Sequence, residues 1–299
     1  MTAHIPPSIT RLVHRVVQVR LQWTIRSLRL GSGLVLFAYL AAHLANHALG
    51  LVSVAAAETG LRAATIVWHS AAGTLLLYGA AVTHLALAIG TLCSRRMLHM
   101  PVSEAFRIAL GFGIPLLLIG HFATTRGAFE LYGVPPDYHR IVWMLFSSGG
   151  EGRQLALLAP GWLHGCMGLN LAFGYHPFWR RLRPLLLAAA LLLPVLAALG
   201  FLAMGRELAL LGADPVWRAA HVTLLDARQG AGVEHLRQWL LAGYLTVVCA
   251  ALLVRTLRAA LENRSARGSL SRGSIVITQA QAGSRVKRAS CATRRRVSQ

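Results

Sequence analysis

Six apolar runs, at about residues 31–53, 64–92, 107–125, 155–175, 184–204 and 238–254, constrain this chain more than any other feature. Each is near the ~20 residues needed to cross a bilayer core. None carries Asp, Glu, Lys or Arg well inside it. In hydrocarbon no water can satisfy a backbone N–H or C=O, so each run must close its hydrogen bonds internally as a helix. The sequence therefore predicts an all-α membrane protein, a bundle of six transmembrane helices. Only 13% of the residues are charged, about half the fraction of a soluble domain. The first run is too long for the apolar part of a signal peptide, so no cleaved leader is expected. Cys93, Cys166, Cys249 and Cys291 are scattered; they suggest neither a disulfide framework nor a zinc site.

The formal net charge of +20 reads as a topology signal once its distribution is followed. Residues 1–30, 93–107, 175–184 and 255–299 together hold 22 basic residues and two acids, Glu104 and Glu262, whereas the opposite connections hold eight of each sign. Excess Lys and Arg stays cytoplasmic, which predicts both termini inside a bacterial inner membrane. No folded basic domain is in view, so nucleic acid is not an expected partner; membrane lipid is. Residues 1–30, with Arg11, Arg15, Arg20, Arg26 and Arg29 among valines, read as a cytoplasmic amphipathic surface segment. Residues 31–254 form the membrane domain. Residues 255–299 read as a basic tail, disordered towards its end, with a strand-like alternation at 272–278. Of the non-cytoplasmic connections, 126–154 and 205–237 are long; 138–146 reads as a short interfacial helix, and 205–237 is expected to cap the bundle.

His43, His84, His121 and His164 lie in four successive runs at intervals of 41, 37 and 43 residues. A histidine inside a membrane span is costly and faces the bundle interior. His43 and His121 each lie 14 residues beyond an inner arginine, Arg29 and Arg107, roughly 21 Å along their helices. His84 lies 11 residues before Arg95 and His164 lies 11 before Tyr175, both roughly 17 Å from the inner boundary. Depth thus pairs His43 with His121, nearer the outside, and His84 with His164, nearer the cytoplasm. Two neutral imidazoles at one depth on facing helices are what a b-type haem iron needs. The expectation is two haems b within a four-helix core at 31–176. Gly161, Gly165 and Gly168 surround His164, and Gly73, Leu77 and Ala80 lead to His84; these stripes suit either a flat macrocycle or ordinary small-residue helix packing. Arg126 reads either as a propionate partner or as an interfacial anchor. His47, one turn from His43, reads as a packed residue or as a propionate or quinone contact. His69 reads as a packed residue; 15 residues before His84 within the same run, it also offers a rival same-helix ligand pair.

These residues resemble a known family. His43-Leu-Ala-Asn-His47 is similar to the His-Leu-x-x-Asn-His element of the dihaem cytochrome b anchors of succinate:quinone oxidoreductases, one residue shorter. Gly-His121-Phe-Ala-Thr-Thr-Arg126, Thr83-His84-Leu85 and Leu163-His164-Gly165 resemble the other three ligand segments, so the likeness spans about 30–176. It implies first-with-third and second-with-fourth pairing, two haems b and a quinone as redox partner. Six spans, against five in those anchors, look more like the membrane domain of bacterial redox-responsive class III adenylate cyclases. There a ferredoxin-like iron–sulfur domain and a cyclase domain follow the last span. Residues 273–278 with Gly283 and Val286 resemble the first hairpin of such a ferredoxin domain, but no iron–sulfur ligand cysteines and no cyclase segment follow. The implied function is the redox-sensing input domain of a truncated adenylate cyclase, with no catalytic residues of its own. Candidate partners are a cytoplasmic cyclase or iron–sulfur protein and a second copy of the chain. The alternatives are an anchor subunit of succinate dehydrogenase or fumarate reductase, a transmembrane haem reductase using His69 and His84, and a transporter with packed histidines.

Overall fold

A computed structural model of the 299-residue chain describes the backbone of residues 7–95 and 100–296, and side chains within 17–95 and 100–262. Among the described residues the regular structure is helical, with no strand. Among the described residues six segments are long and apolar enough to cross a membrane: Val17–Leu51, Ala71–Ser94, Val102–Tyr132, Glu151–Phe173, Pro177–Leu211 and Ala227–Glu262. The chain is a multi-pass membrane protein. Large apolar side chains such as Leu75, Leu187 and Leu191 stand exposed on these helices, the surface that lipid tails cover.

Helix α1, Pro7–Ala48, is continuous, so the described part of the expected surface segment, residues 7–30, runs straight into the first span. A single 3₁₀ turn, Leu49–Leu51, and an extended Ser53 end it. Ser53 then caps α2, Val54–Trp68, by accepting from Ala56 N at 3.0 Å. The expected second run at 64–92 is corrected here: the chain turns at His69–Ser70, and α3 is Ala71–Ser94. Two features make the break. Ser70 Oγ accepts from Gly73 N at 3.0 Å and donates to Val67 O at 2.7 Å, a cap in place of a continuing helix. A Cβ on Gly73 would lie 2.1 Å from Val67 O, so the turn is that tight.

The third span is α4, Val102–Phe122, a π-helical turn Ala123–Gly127, and α5, Ala128–Tyr132. Gly133 ends it in the left-handed conformation, φ 68°, which suits a residue without Cβ. Helix α6, Tyr138–Ser147, is the short helix expected at 138–146, capped by Asp137. The remaining elements are α7, Glu151–Phe173; α8, Pro177–Leu211; α9, Pro215–His221; and α10, Ala227–Arg296. The tail expectations, disorder and a strand at 272–278, fall on positions from 263 onward, outside the fully described residues.

Two compact units divide the chain, residues 1–89 with 100–247, and residues 90–99 with 248–299. In the first, α1 and α8 cross closely. A Cβ on Gly200 would lie 2.1 Å from the His47 carbonyl oxygen, and one on Gly50 would lie 2.7 Å from that of Gly200. Such backbone approach is how helices associate where lipid removes the hydrophobic drive. At one end of this unit α2, α6, α8 and α9 make a cap. Val54, Ala57, Tyr138, Val142, Phe201, Met204 and Leu208 are buried there, with Trp143, Phe146 and Trp217 against them. The connection 205–237, expected to cap the bundle, supplies α9; 126–154 supplies α6, and α2 is a third cap element that the apolar pattern hid. A second cluster, Leu44, Trp162 and Ala197 with Phe37 and Leu40, ties α1, α7 and α8 together. In the second unit, Cys93 Sγ lies 3.8 Å from Ala251 O.

Candidate functional site

The four histidines meet in two pairs, as depth along the helices predicted. The rings of His43 on α1 and His121 on α4 have centroids 5.9 Å apart at 64°. Those of His84 on α3 and His164 on α7 are 6.2 Å apart at 85°. Two imidazoles on opposite sides of one metal ion, each with a metal–nitrogen bond of about 2 Å, have centroids about 6 Å apart. Neither pair is joined by a hydrogen bond among those the described residues make.

Three of the four imidazoles have their Nδ1 occupied by a partner. His164 Nδ1 lies 3.0 Å from the Arg107 carbonyl oxygen, which only an N–H can use. That sets Nδ1 as donor and leaves Nε2 with its lone pair, the usual state of a metal-bound histidine. His84 Nδ1 contacts Ser32 Oγ at 3.2 Å, and His121 Nδ1 contacts the Gln154 amide at 3.2 Å. Ser32 Oγ donates its own proton to Arg29 O, so it can accept from an N–H and the same tautomer is available at His84. At His121 the contact is with the Gln154 amide nitrogen, a donor, so there Nδ1 accepts. The glycines opposite are spaced to match. A Cβ on Gly111 of α4 would lie 2.7 Å from His164 Cε1, and one on Gly33 of α1 would lie 3.2 Å from His84 Cε1. The imidazoles of the second pair are therefore each confined by a helix that only glycine lets so near.

His43 differs. Its Nε2 lies 3.2 Å from His47 Nε2, one helical turn on. His43 can offer that nitrogen to an ion facing His121 only by releasing His47. The His47 ring otherwise packs edge-on against Tyr138 and Phe201, and its Nδ1 is buried with no partner. His47 is thus both packed and part of the cluster. A cavity of about 130 Å³ opens beside this pair, lined by His43, His47, His121, Tyr39, Arg126 and Gln154 among others.

The π turn begins two residues after His121. Thr124 Oγ1 and Thr125 Oγ1 donate back to the carbonyls of Gly120 and His121 at 3.0 and 2.7 Å, a competition that bends helices. The turn presents Arg126 to the cavity. Arg126 pairs with Glu130 at 2.6 Å, donates to Thr74 Oγ1 at 3.1 Å, and lies over the Tyr78 and Phe129 rings. It faces inward, with one carboxylate already on it, which is more than an interfacial anchor does.

Of the glycines beside His164, Gly165 faces Phe37, where a Cβ would lie 2.3 Å from Cδ2; at Gly161 the Leu40 side chain would be 3.4 Å away; Gly168 faces open space. Gly161 and Gly165 therefore let α1 side chains approach α7, the packing reading of that stripe. Gly73, Leu77 and Ala80 are the buried residues of α3. His69 is not on the helix that carries His84; it ends α2 and packs against Phe129 at 4.7 Å. The same-helix pair His69/His84 is overturned by the turn between α2 and α3. Burial lowers the His69 imidazole below its usual pKa, and Arg126 lowers it further.

Sequence reasoning missed a second cluster in the cap. Glu58, Asp137 and His139 bring one ligand atom each to within 4.8 Å of one another. His139 Nδ1 lies 3.2 Å from Asp137 Oδ1 and 3.4 Å from Glu58 Oε1. Hydrogen bonding to Asp137, and then to Glu58, raises the imidazole to about 9. Burial would raise the Asp137 carboxyl, but its hydrogen bonds with His139 and Glu58 together outweigh this and hold it at about 2. Tyr138 connects this cluster to the histidines: its N–H donates to Glu58 Oε1, and its hydroxyl accepts from Asn46 Nδ2 at 2.8 Å, beside the His47 ring. The signal available was Asp-x-His directly after Pro135-Pro136; nothing in the sequence tied Glu58 to it.

Comparison of the chain with protein-family models, with curated proteins and with solved structures finds no match.

Proposed function

We propose that this protein is a dihaem cytochrome b of the cytoplasmic membrane, exchanging electrons with membrane quinone and acting as a redox-sensing input domain. The observation that carries the reading is the pairing itself. Four histidines from four successive spans meet two by two, at ring separations of 5.9 and 6.2 Å, suited to two imidazoles on one iron.

The residues divide the work as follows. His43 and His121 hold one haem, and His84 and His164 the other. The Arg107 carbonyl and Ser32 accept from the Nδ1 side of His164 and His84 and so keep Nε2 aimed between the helices, and Gln154 Nε2 fixes the His121 ring by donating to its Nδ1. A haem b bound in this way supplies a one-electron carrier in a low-dielectric setting. Phe37 and Trp162, stacked at 5.0 Å, and Leu44 keep water from the space between α1 and α7. Arg126, only 12% exposed, places positive charge beside the His43/His121 cavity, where haem carboxylates or a quinone oxygen find a donor. The cyclase-type output is carried by the sequence resemblance alone, and electron transfer stands without it.

The test is a dithionite-reduced minus oxidised spectrum of the detergent-purified protein, with haem quantified per chain. Two haems b per chain are expected. His43→Ala and His121→Ala should remove the same one, His84→Ala and His164→Ala the other, and His69→Ala should leave both. Absence of a b-type signal sinks the proposal.

A further inference from the structure

We infer that Glu58, Asp137 and His139 form a site for a divalent cation of the zinc type, which would pin α2 to the start of α6 in the cap. The three side chains come from two elements 79 positions apart and converge on one point. The donors are two carboxylate oxygens and one imidazole nitrogen, a mixture that borderline cations prefer. Ligands about 2.0–2.1 Å from a tetrahedral ion lie about 3.3 Å from one another. His139 Nδ1 is 3.2 Å from Asp137 Oδ1 and 3.4 Å from Glu58 Oε1. Three protein ligands leave a fourth position for water.

The surroundings hold these ligands in place. Asp137 caps α6, its Oδ1 accepting from His139 N at 2.7 Å, and Glu58 Oε1 accepts from Tyr138 N. Backbone donors thus orient both carboxylates before any ion arrives, as the outer shell of a metal site does. Glu58 is buried, which favours a compact counter-charge over bulk solvent. Arg140 is also buried and acts on Asp137 at a distance, but its guanidinium donates to the carbonyls of Thr124 and Pro135. The bland account of the same geometry is a proton shared between the imidazole and the carboxylates. It predicts no affinity for a cation, so the two can be separated.

The experiment uses the full chain in detergent, stripped with chelator and titrated with Co²⁺ and then Zn²⁺, followed by calorimetry and by the cobalt visible spectrum. One ion per chain is expected, with a spectrum typical of mixed nitrogen and oxygen ligands. Glu58→Gln, Asp137→Asn and His139→Gln should each weaken binding by about tenfold or more. The first two replacements are amides that keep the hydrogen-bond acceptors of the cap, so helicity by circular dichroism should be retained. His47→Ala and His69→Ala should bind as the unaltered chain does. No stoichiometric binding, or binding unchanged in the three variants, overturns the inference. So does binding lost instead with His43→Ala. Haem content is read in the same samples and should not respond to the chelator, so failure here and failure of the cytochrome reading are distinguishable.

Discussion

Replacing Gly111 by alanine is the sharpest test of how the second histidine pair is held. The new Cβ would stand 2.7 Å from His164 Cε1 and 3.0 Å from its Nδ1. Carbon atoms in ordinary contact are about 3.5–4.0 Å apart, so the imidazole must retreat by roughly 1 Å. It cannot do so and keep the bond from Nδ1 to the Arg107 carbonyl, which already measures 3.0 Å; beyond about 3.5 Å that bond is gone. Overpacking costs about 1–3 kcal/mol, and the lost hydrogen bond about 1 kcal/mol more. Two readouts follow. The thermal midpoint in detergent should fall and, on the proposed dihaem reading, haem per chain should drop from two to one, with the His43/His121 haem kept. Gly113→Ala is the control, because a Cβ there meets nothing within 4 Å. If Gly111→Ala matches Gly113→Ala in both midpoint and haem content, α4 does not confine His164 and the reasoning is wrong.

Tyr138→Phe should destabilise the cap by about 1–3 kcal/mol: buried Asn46 would lose the acceptor of its amide N–H, and its Oδ1 has no partner already. Denaturant titration of this variant beside Tyr175→Phe, an exposed tyrosine, would expose a mistaken assignment. Gly200→Ala places a Cβ 2.1 Å from the His47 carbonyl oxygen, a backbone atom that cannot swing away. The α1–α8 crossing must open, so expression and thermal midpoint should fall further than for Gly111→Ala. In chelator-treated protein, pH should act through His139. Its folded-state value, about 9 against an ordinary 6.5, means that folding binds the proton more tightly. That stabilisation is complete below about 6.5 and is lost as pH rises through 9. Melting curves across this window should slope downward, and His139→Gln should flatten them; equal slopes in both proteins would refute the assignment.

The pairing of the histidines was legible in the sequence because a helix converts residue count into depth at a constant rise. His43 and His121 stand equally far from Arg29 and Arg107, and the structure brings their rings together; His84 and His164 follow the same rule. Hydropathy marked the six spans for a similar reason, since every lipid-exposed segment must be apolar. It failed at 64–70. Val67 and Trp68 are as apolar as a span, and the turn at His69–Ser70 is made by one serine cap and one glycine contact, neither of which changes mean hydropathy.

What the sequence by itself determined is the class of the fold, an all-α membrane bundle of six spans, and which histidines share a level in it. Both follow from one-dimensional quantities, run length and residue rise. Only the tertiary structure decided how the levels are furnished. It placed Gly33 against His84 and Gly111 against His164, set the Arg107 carbonyl behind His164, and turned His47 onto His43. It also brought Glu58 beside Asp137 and His139. These contacts depend on how helices rotate about their axes and where caps fold back over them. That rotation is set by packing among side chains distant in sequence, for which the order of residues along the chain carries no local signal.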